Sequence, residues 1–142
     1  EEDLKYITDL LEKLDYKFHV IKYGKYNENE FIELIKKSKC SFIIGNCESQ
    51  GLAIQEMMSC NLPLFVWDVE TWSDRGKENE VPATSIPYWS KVCGEKTISK
   101  DEVETEFIKF FENINQYNPR SYITENLTLE KQAEEIIKLF EK

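Results

Sequence analysis

The chain has 142 residues, with 18 Lys+Arg against 27 Asp+Glu and one His, giving a formal net charge of −9 at pH 7. That balance argues against nucleic acid or an anionic membrane surface as the main partner, because phosphate binding needs a clustered basic surface and the Lys clusters here are interrupted by Glu and Asp. Hydrophobic residues at 41% and charged residues at 32% describe a globular chain with a core rather than a disordered one.

In chain order, Leu4, Ile7, Leu10, Leu11 and Leu14 fall at three- and four-residue steps and predict an amphipathic helix over residues 3 to 14. Tyr16 to Tyr23, with Phe18, Val20 and Ile21, reads as a short strand ending in a turn at Gly24. Asn27 can cap a helix from Glu28 to Lys37 whose inner face is Phe31, Ile32 and Ile35. Ser41 to Ile44 and Leu62 to Trp67 are apolar runs of the kind buried on both sheet faces, and Gly51 to Cys60 between them carries Leu52, Ile54, Met57 and Met58 at helical spacing. Strand, helix and strand in so short a stretch predict a right-handed βαβ unit with a parallel sheet. Asn61 is placed to close its helix in the left-handed conformation, and Pro63 prevents continuation.

From Asp68 to Glu95 periodicity disappears, and Gly76, Pro82, Pro87 and Gly94 punctuate a long connection containing Trp72, Tyr88 and Trp89. Beyond it, Lys96 to Ile98 suggests a last short strand. A helix is predicted from Asp101 to about Ile114 on Val103, Phe107, Ile108, Phe110 and Phe111. A terminal helix from Leu129 to Phe140 would use Ala133, Ile136, Ile137 and Phe140. The fold class expected is α/β, an open and mostly parallel Rossmann-like sheet flanked by helices.

No apolar run reaches the roughly 20 residues that span a bilayer, and Glu1-Glu2-Asp3 is no signal peptide, so the expectation is a soluble, cytoplasmic protein. Residues 1–142 read as a single domain, a segment of a longer protein since the first residue is not Met. Cys40, Cys47, Cys60 and Cys93 include no Cys-x2-Cys pair, which argues against zinc, and are expected as reduced, buried thiols.

In open α/β sheets ligands bind outside the carboxyl ends of the strands, which directs attention to Gly45-Asn-Cys-Glu-Ser-Gln-Gly-Leu52 after the first apolar run. Gly51 opens a helix whose first amides suit a phosphate. Glu48 before that helix and Glu56 within it are carboxylates able to accept the vicinal hydroxyls of a ribose or hexose.

This stretch resembles the donor-binding half of GT-B glycosyltransferases of the family 4 type, with their Glu-x7-Glu signature. The residues carrying the likeness run Cys47-Glu48-Ser49-Gln50-Gly51-Leu52-Ala53-Ile54-Gln55-Glu56-Met57-Met58-Ser59-Cys60-Asn61-Leu62-Pro63-Leu64. The layout upstream, from about residue 17, is also similar. The resemblance implies that Glu56 binds the ribose hydroxyls of a UDP- or GDP-linked sugar and that the amides at Gly51 and Leu52, with Ser49 and Gln50 in the same loop, hold the diphosphate. It implies catalytic contact of Glu48 with the transferred sugar and places Tyr23, Gly24, Lys25 and Tyr26 near the base. It further implies retaining transfer of a hexose without metal or other cofactor, and an acceptor-binding N-terminal domain outside this chain, so that the segment would be inactive alone. Ser49 and Gln50 depart from the Gly and Phe of the family pattern, Ser41 replaces an acidic residue, and no Arg and Lys pair precedes Asp3.

A non-catalytic α/β binding domain and a GT-B-fold nucleotide-sugar epimerase are the alternatives. A flavodoxin-like or receiver domain fits less well, as no acidic cluster or phosphate loop follows the first strand. His19 is read as structural, Trp72, Tyr88 and Trp89 as anchors of their loop, and Arg75 and Arg120 as solvent or helix-end residues rather than phosphate ligands. Met57 and Met58 are core positions, and Asn126-Leu-Thr128 is a coincidental glycosylation acceptor pattern.

Overall fold

The computed structural model describes residues 2–45, 47–73 and 80–141. Its elements are α1 (Glu2–Lys13), α2 (Glu28–Lys37), β1 (Ser41–Ile44), α3 (Leu52–Ser59), β2 (Leu64–Trp67), β3 (Thr71–Trp72), β4 (Val81–Pro82), β5 (Gly94–Thr97), α4 (Val103–Glu112), α5 (Pro119–Asn126) and α6 (Leu129–Phe140). Strands β1, β2 and β5 form a parallel sheet in the order β1-β2-β5, with Leu64 opposite both Ser41 and Gly94. Helices flank it, so the chain is α/β, and the parallel β1–α3–β2 unit has the order expected from the sequence.

The central strand accounts for the two cores. Side chains alternate across a strand, and Leu64 and Val66 enter an apolar cluster with Phe31 and Ile35 of α2 and Met57 and Met58 of α3. Phe65 points the other way, into a cluster with Ile7, Leu10 and Leu11 of α1 and Val103, Phe107 and Phe110 of α4. Leu64, Phe65 and Val66 are fully buried, a contribution of roughly 1.5–3 kcal/mol each. β1 is only half-buried, because it lies at the sheet edge rather than within the sheet.

Several elements differ from expectation. Tyr16–Tyr23 forms no strand. Tyr16 packs on Phe111 and Phe107 at centroid distances of 4.6 and 5.8 Å, and Phe18 joins the same cluster. Val20 and Ile21 are exposed, so aromatic packing replaces the ladder of hydrogen bonds that a strand requires. The turn at Gly24 is present, with φ +69°. On α2, Phe31 and Ile35 face inward, but Ile32 is exposed.

The long connection folds back as the antiparallel pair β3–β4, and β5 begins at Gly94 rather than Lys96. The helix predicted from Asp101 is a 3-10 turn at Lys100–Glu102, then α4, then a second 3-10 turn at Ile114–Gln116. Helix α5 was not anticipated, although Asn118 and Pro119 supply an N-cap and first helical position. α6 has the expected bounds, but its stripe is not a core face: Ile136, Ile137 and Phe140 are exposed. Periodicity specifies a stripe, not the surface that covers it, and α6 packs chiefly on α5. No helix among the described residues is long and apolar enough to cross a membrane.

Gly94 carries the tightest constraint in the sheet. At φ +148° beside β2, a Cβ there would lie 1.8 Å from the Leu64 carbonyl oxygen. Gly94→Ala is therefore expected to cost about 3 kcal/mol or more in urea denaturation. Gly24→Ala, whose Cβ would meet nothing within 4 Å, should cost about 1 kcal/mol. Equal costs at the two positions would show that the close approach at Gly94 does not constrain the sheet.

Candidate functional site

All three parallel strands end at one edge, where a cleft of about 380 Å³ is lined by Ile44, Gly45, Trp67, Asp68, Glu70, Thr71, Ile98 and Asp3, among others. Asp68 follows the last residue of β2 and is only 4% exposed. Its Oδ1 accepts from the Ser85 N–H at 2.7 Å, the Thr84 hydroxyl at 2.8 Å and the Val69 N–H at 2.9 Å. Its Oδ2 takes Lys96 Nζ at 2.6 Å. Burial pushes this carboxyl upward, but Lys96 and the Ser85, Thr84 and Val69 donors outweigh it and hold Asp68 below the usual carboxylate value.

The network continues into the β1–α3 loop. Ser85 Oγ donates to the Gly45 carbonyl at 2.6 Å, and the Glu48 N–H donates to the Thr84 carbonyl at 2.9 Å. Asp68, Thr84, Ser85 and Lys96 were not singled out from sequence. The available signal was an acidic residue directly after a buried apolar run, at the carboxyl end of a strand.

Glu48 turns onto its own loop. Its Oε1 accepts from the N–H groups of Ser49 at 2.9 Å, Gln50 at 3.1 Å and Gly51 at 2.9 Å. The Gly51 N–H foremost, with that of Gln50, holds the carboxyl below its ordinary value against the opposing effect of desolvation, and the Ser49 N–H adds to this. Gly51 sits in the left-handed region at φ 63°, ψ 46° and leads directly into α3. Leu52, at helical spacing with Ile54, Met57 and Met58, is nevertheless 66% exposed, while its neighbours Ala53 and Ile54 pack on the core. Glu56 lies on the exposed side of α3.

At its other end α3 closes as expected. Asn61 is left-handed at φ 59°, and Arg120 Nη1 donates to the Ser59 carbonyl at 3.0 Å, a helix-end role. Met57 and Met58 are buried in the core.

Tyr23, Gly24 and Lys25 form an exposed turn, closed by the Lys25 N–H to the Lys22 carbonyl at 3.0 Å. No described hydrogen bond joins it to Glu48 or α3. Tyr26, 5.0 Å from the Phe31 ring, packs on the apolar cluster that also receives Ala53 and Ile54 from the first turn of α3. Trp89 anchors on that cluster too, Tyr88 is half-buried, and Trp72 is exposed on β3. His19 is exposed rather than enclosed. Arg75 and Gly76 lie outside the described residues.

The four cysteines are unpaired by disulfides, but only Cys93 is buried; Cys47 and Cys60 are exposed at the ends of the α3 unit, where the apolar runs stop. Partial burial pushes the Cys40 thiol up to about 11, and burial raises Cys93 as well, so neither supplies a thiolate near neutral pH. Among the described residues no cluster of three or more His, Cys, Asp or Glu is arranged to hold a metal ion. No protein-family model, curated protein or solved structure matches the chain.

The Glu48 geometry has a pH signature. A carboxyl depressed in the folded state stabilises above its unfolded value, and that contribution is lost as pH falls through the folded value. Wild type is therefore expected to exceed Glu48→Gln by about 1 kcal/mol in urea denaturation at pH 7. The gap should begin to narrow near the ordinary glutamate value of about 4.3 and close at lower pH. A gap unchanged down to pH 2 would remove charge from the account of these three bonds.

Proposed function

We propose that the chain is the donor-binding part of a GT-B glycosyltransferase, with a Rossmann-like sheet that binds a nucleoside-diphosphate sugar at its carboxyl edge. The observation that carries this reading is the position of the Glu48-to-Glu56 signature. It runs from the loop after β1 into α3, through a left-handed Gly51, inside a parallel β1–α3–β2 unit, which is where open α/β sheets take their ligands.

On this reading Glu56, exposed on α3, accepts the ribose hydroxyls, and the amides at the start of α3 receive the diphosphate. Gly51 N–H is engaged by Glu48 at 2.9 Å, so diphosphate binding there requires the carboxylate to turn away. The same movement delivers Glu48 to the hydroxyls of the transferred sugar and releases the Ser49, Gln50 and Gly51 amides together. As the bond between the anomeric carbon and the phosphate oxygen breaks, those amides would stabilise the negative charge on the departing diphosphate. Acceptor binding falls to residues outside this chain, so transfer by the segment alone is not expected.

The bonds of Glu48 also favour a second reading, a non-catalytic α/β domain in which that carboxylate serves only its own loop before α3. The two separate in one experiment, ligand-observed NMR with UDP, GDP, ADP, UDP-glucose and GDP-mannose, repeated on Glu56→Ala. The donor reading expects one base to bind and Glu56→Ala to reduce that binding tenfold or more. Stability should change by no more than about 0.5 kcal/mol, as for other exposed substitutions. Binding of none of these at millimolar concentration, or binding indifferent to Glu56→Ala, would favour the non-catalytic domain.

A further inference from the structure

We propose that Asp68 is the positioning residue of the β1–α3 loop, fixing from β2 the backbone on which Glu48 is carried. Glu48 has no contact with Asp68. The connection runs through one intervening segment with two arms. In the first, the Thr84 hydroxyl donates to Asp68 Oδ1 at 2.8 Å and the Thr84 carbonyl accepts the Glu48 N–H at 2.9 Å. In the second, the Ser85 N–H donates to the same Oδ1 at 2.7 Å and Ser85 Oγ donates to the Gly45 carbonyl at 2.6 Å. Gly45 and Glu48 lie at the start of the loop, so these two backbone anchors lead back to a single carboxylate oxygen, while Gln55 Nε2 holds the Gln50 carbonyl at the other end at 2.7 Å.

Sequence distance makes this a tertiary device. Asp68 lies 16 residues from Thr84, and Ser85 lies 40 from Gly45. The Thr84 hydroxyl also accepts the Ile86 N–H at 3.1 Å, and of its two possible acceptors, Asp68 Oδ1 at 2.8 Å and the Ile86 carbonyl at 3.3 Å, the charged and closer carboxylate is the stronger. Lys96 Nζ, 2.6 Å from Oδ2, compensates the buried charge so that Oδ1 remains a full-strength acceptor for three donors. With its backbone held on both sides, the Glu48 carboxylate can exchange donors without the loop collapsing, and Asp68 thereby sets where Glu48 meets a ligand. That last step rests on the donor-site reading; the positioning of the loop does not.

Amide hydrogen exchange of the full chain separates the two. In Asp68→Asn, which places an amide against Lys96, and in Thr84→Val, which deletes the hydroxyl, the Ser49, Gln50 and Gly51 amides should exchange roughly tenfold faster. The amides of Phe65 in β2 and Phe110 in α4 should change far less. Thr84→Ser, which restores the donor, should return the three loop amides to within about twofold of wild type. A merely structural role predicts acceleration spread evenly over loop, β2 and α4, and no selective rescue by serine. Either that pattern or unchanged loop amides in Thr84→Val overturns the proposal. If Asp68→Asn does not fold, the Thr84 pair decides alone. Selective loop acceleration in a chain that binds none of UDP, GDP, ADP, UDP-glucose and GDP-mannose would retain the positioning role and reject the donor reading. Nucleotide binding weakened by Glu56→Ala, with the three loop amides unchanged in Thr84→Val, would do the reverse.

Discussion

A carboxylate that ends a strand covered on both faces must find its hydrogen bonds in the surrounding chain, because an unpaired buried charge costs several kcal/mol. Asp68 meets this requirement from separate segments: its own following amide, Thr84 and Ser85 from the connection after β4, and Lys96 from β5. The donors from Val69, Thr84 and Ser85 fix backbone that has no periodicity of its own. The Asp68 N–H also bonds the Thr97 carbonyl at 2.8 Å, and the Ala83 N–H bonds the Glu70 carbonyl at 2.9 Å, so the same corner ties β2 to β5 and closes the β3–β4 pair. Networks of this kind specify one arrangement when every member is satisfied, and no buried side-chain polar atom among the described residues lacks a partner.

The two sides of the sheet are built from different materials. Against Phe65 stand Phe42, Phe107 and Phe110 with ring centroids 4.9 to 5.6 Å away, a rigid aromatic layer joining β1, β2 and α4. Against Leu64 and Val66 stand the flexible Met57 and Met58 of α3. An eight-residue helix has little stability of its own. α3 holds through that packing and through its ends, where Glu48 satisfies the amides leading in and Arg120 a carbonyl leading out. Full burial is reached in its second half, while in its first turn Ala53 and Ile54 are partly covered and Leu52 stays open to solvent.

Local signals were legible wherever the cause is local. Asn27 accepting from the Asn29 amide at 2.8 Å, the left-handed Asn61, the bounds of α2 and α6 and the parallel β1–α3–β2 unit all follow from caps, breakers and periodicity within a few residues. Features that need a distant partner were not legible. Tyr16–Tyr23 has the alternation of a strand but meets aromatic rings instead of a sheet edge, and α6 has a stripe without a core beneath it. For the site, the loop carrying Glu48 was readable because glycine, carboxylate and apolar run adjoin in sequence. Asp68, Thr84, Ser85 and Lys96 come together only through the crossover from β2 to β5, and no spacing in the chain encodes that.

The bonds of Glu48 change what the start of α3 offers to a ligand. An open set of amides would take any small anion, whereas here an anion is already present, tethered at effectively high concentration by its own backbone. Under the donor-site reading an incoming diphosphate exchanges with the carboxylate at these amides, and the displaced carboxylate must recover its lost hydrogen bonds elsewhere. Phosphate alone would leave Glu48 without compensation; a sugar alone would offer hydroxyls but nothing for the three amides. A ligand carrying both groups at a fixed separation satisfies both sides of the exchange. Under the donor-site reading, selectivity for a sugar joined to a diphosphate therefore arises from an internal competitor held in place by Asp68, and not from a surplus of positive charge, which a chain of net charge −9 does not have.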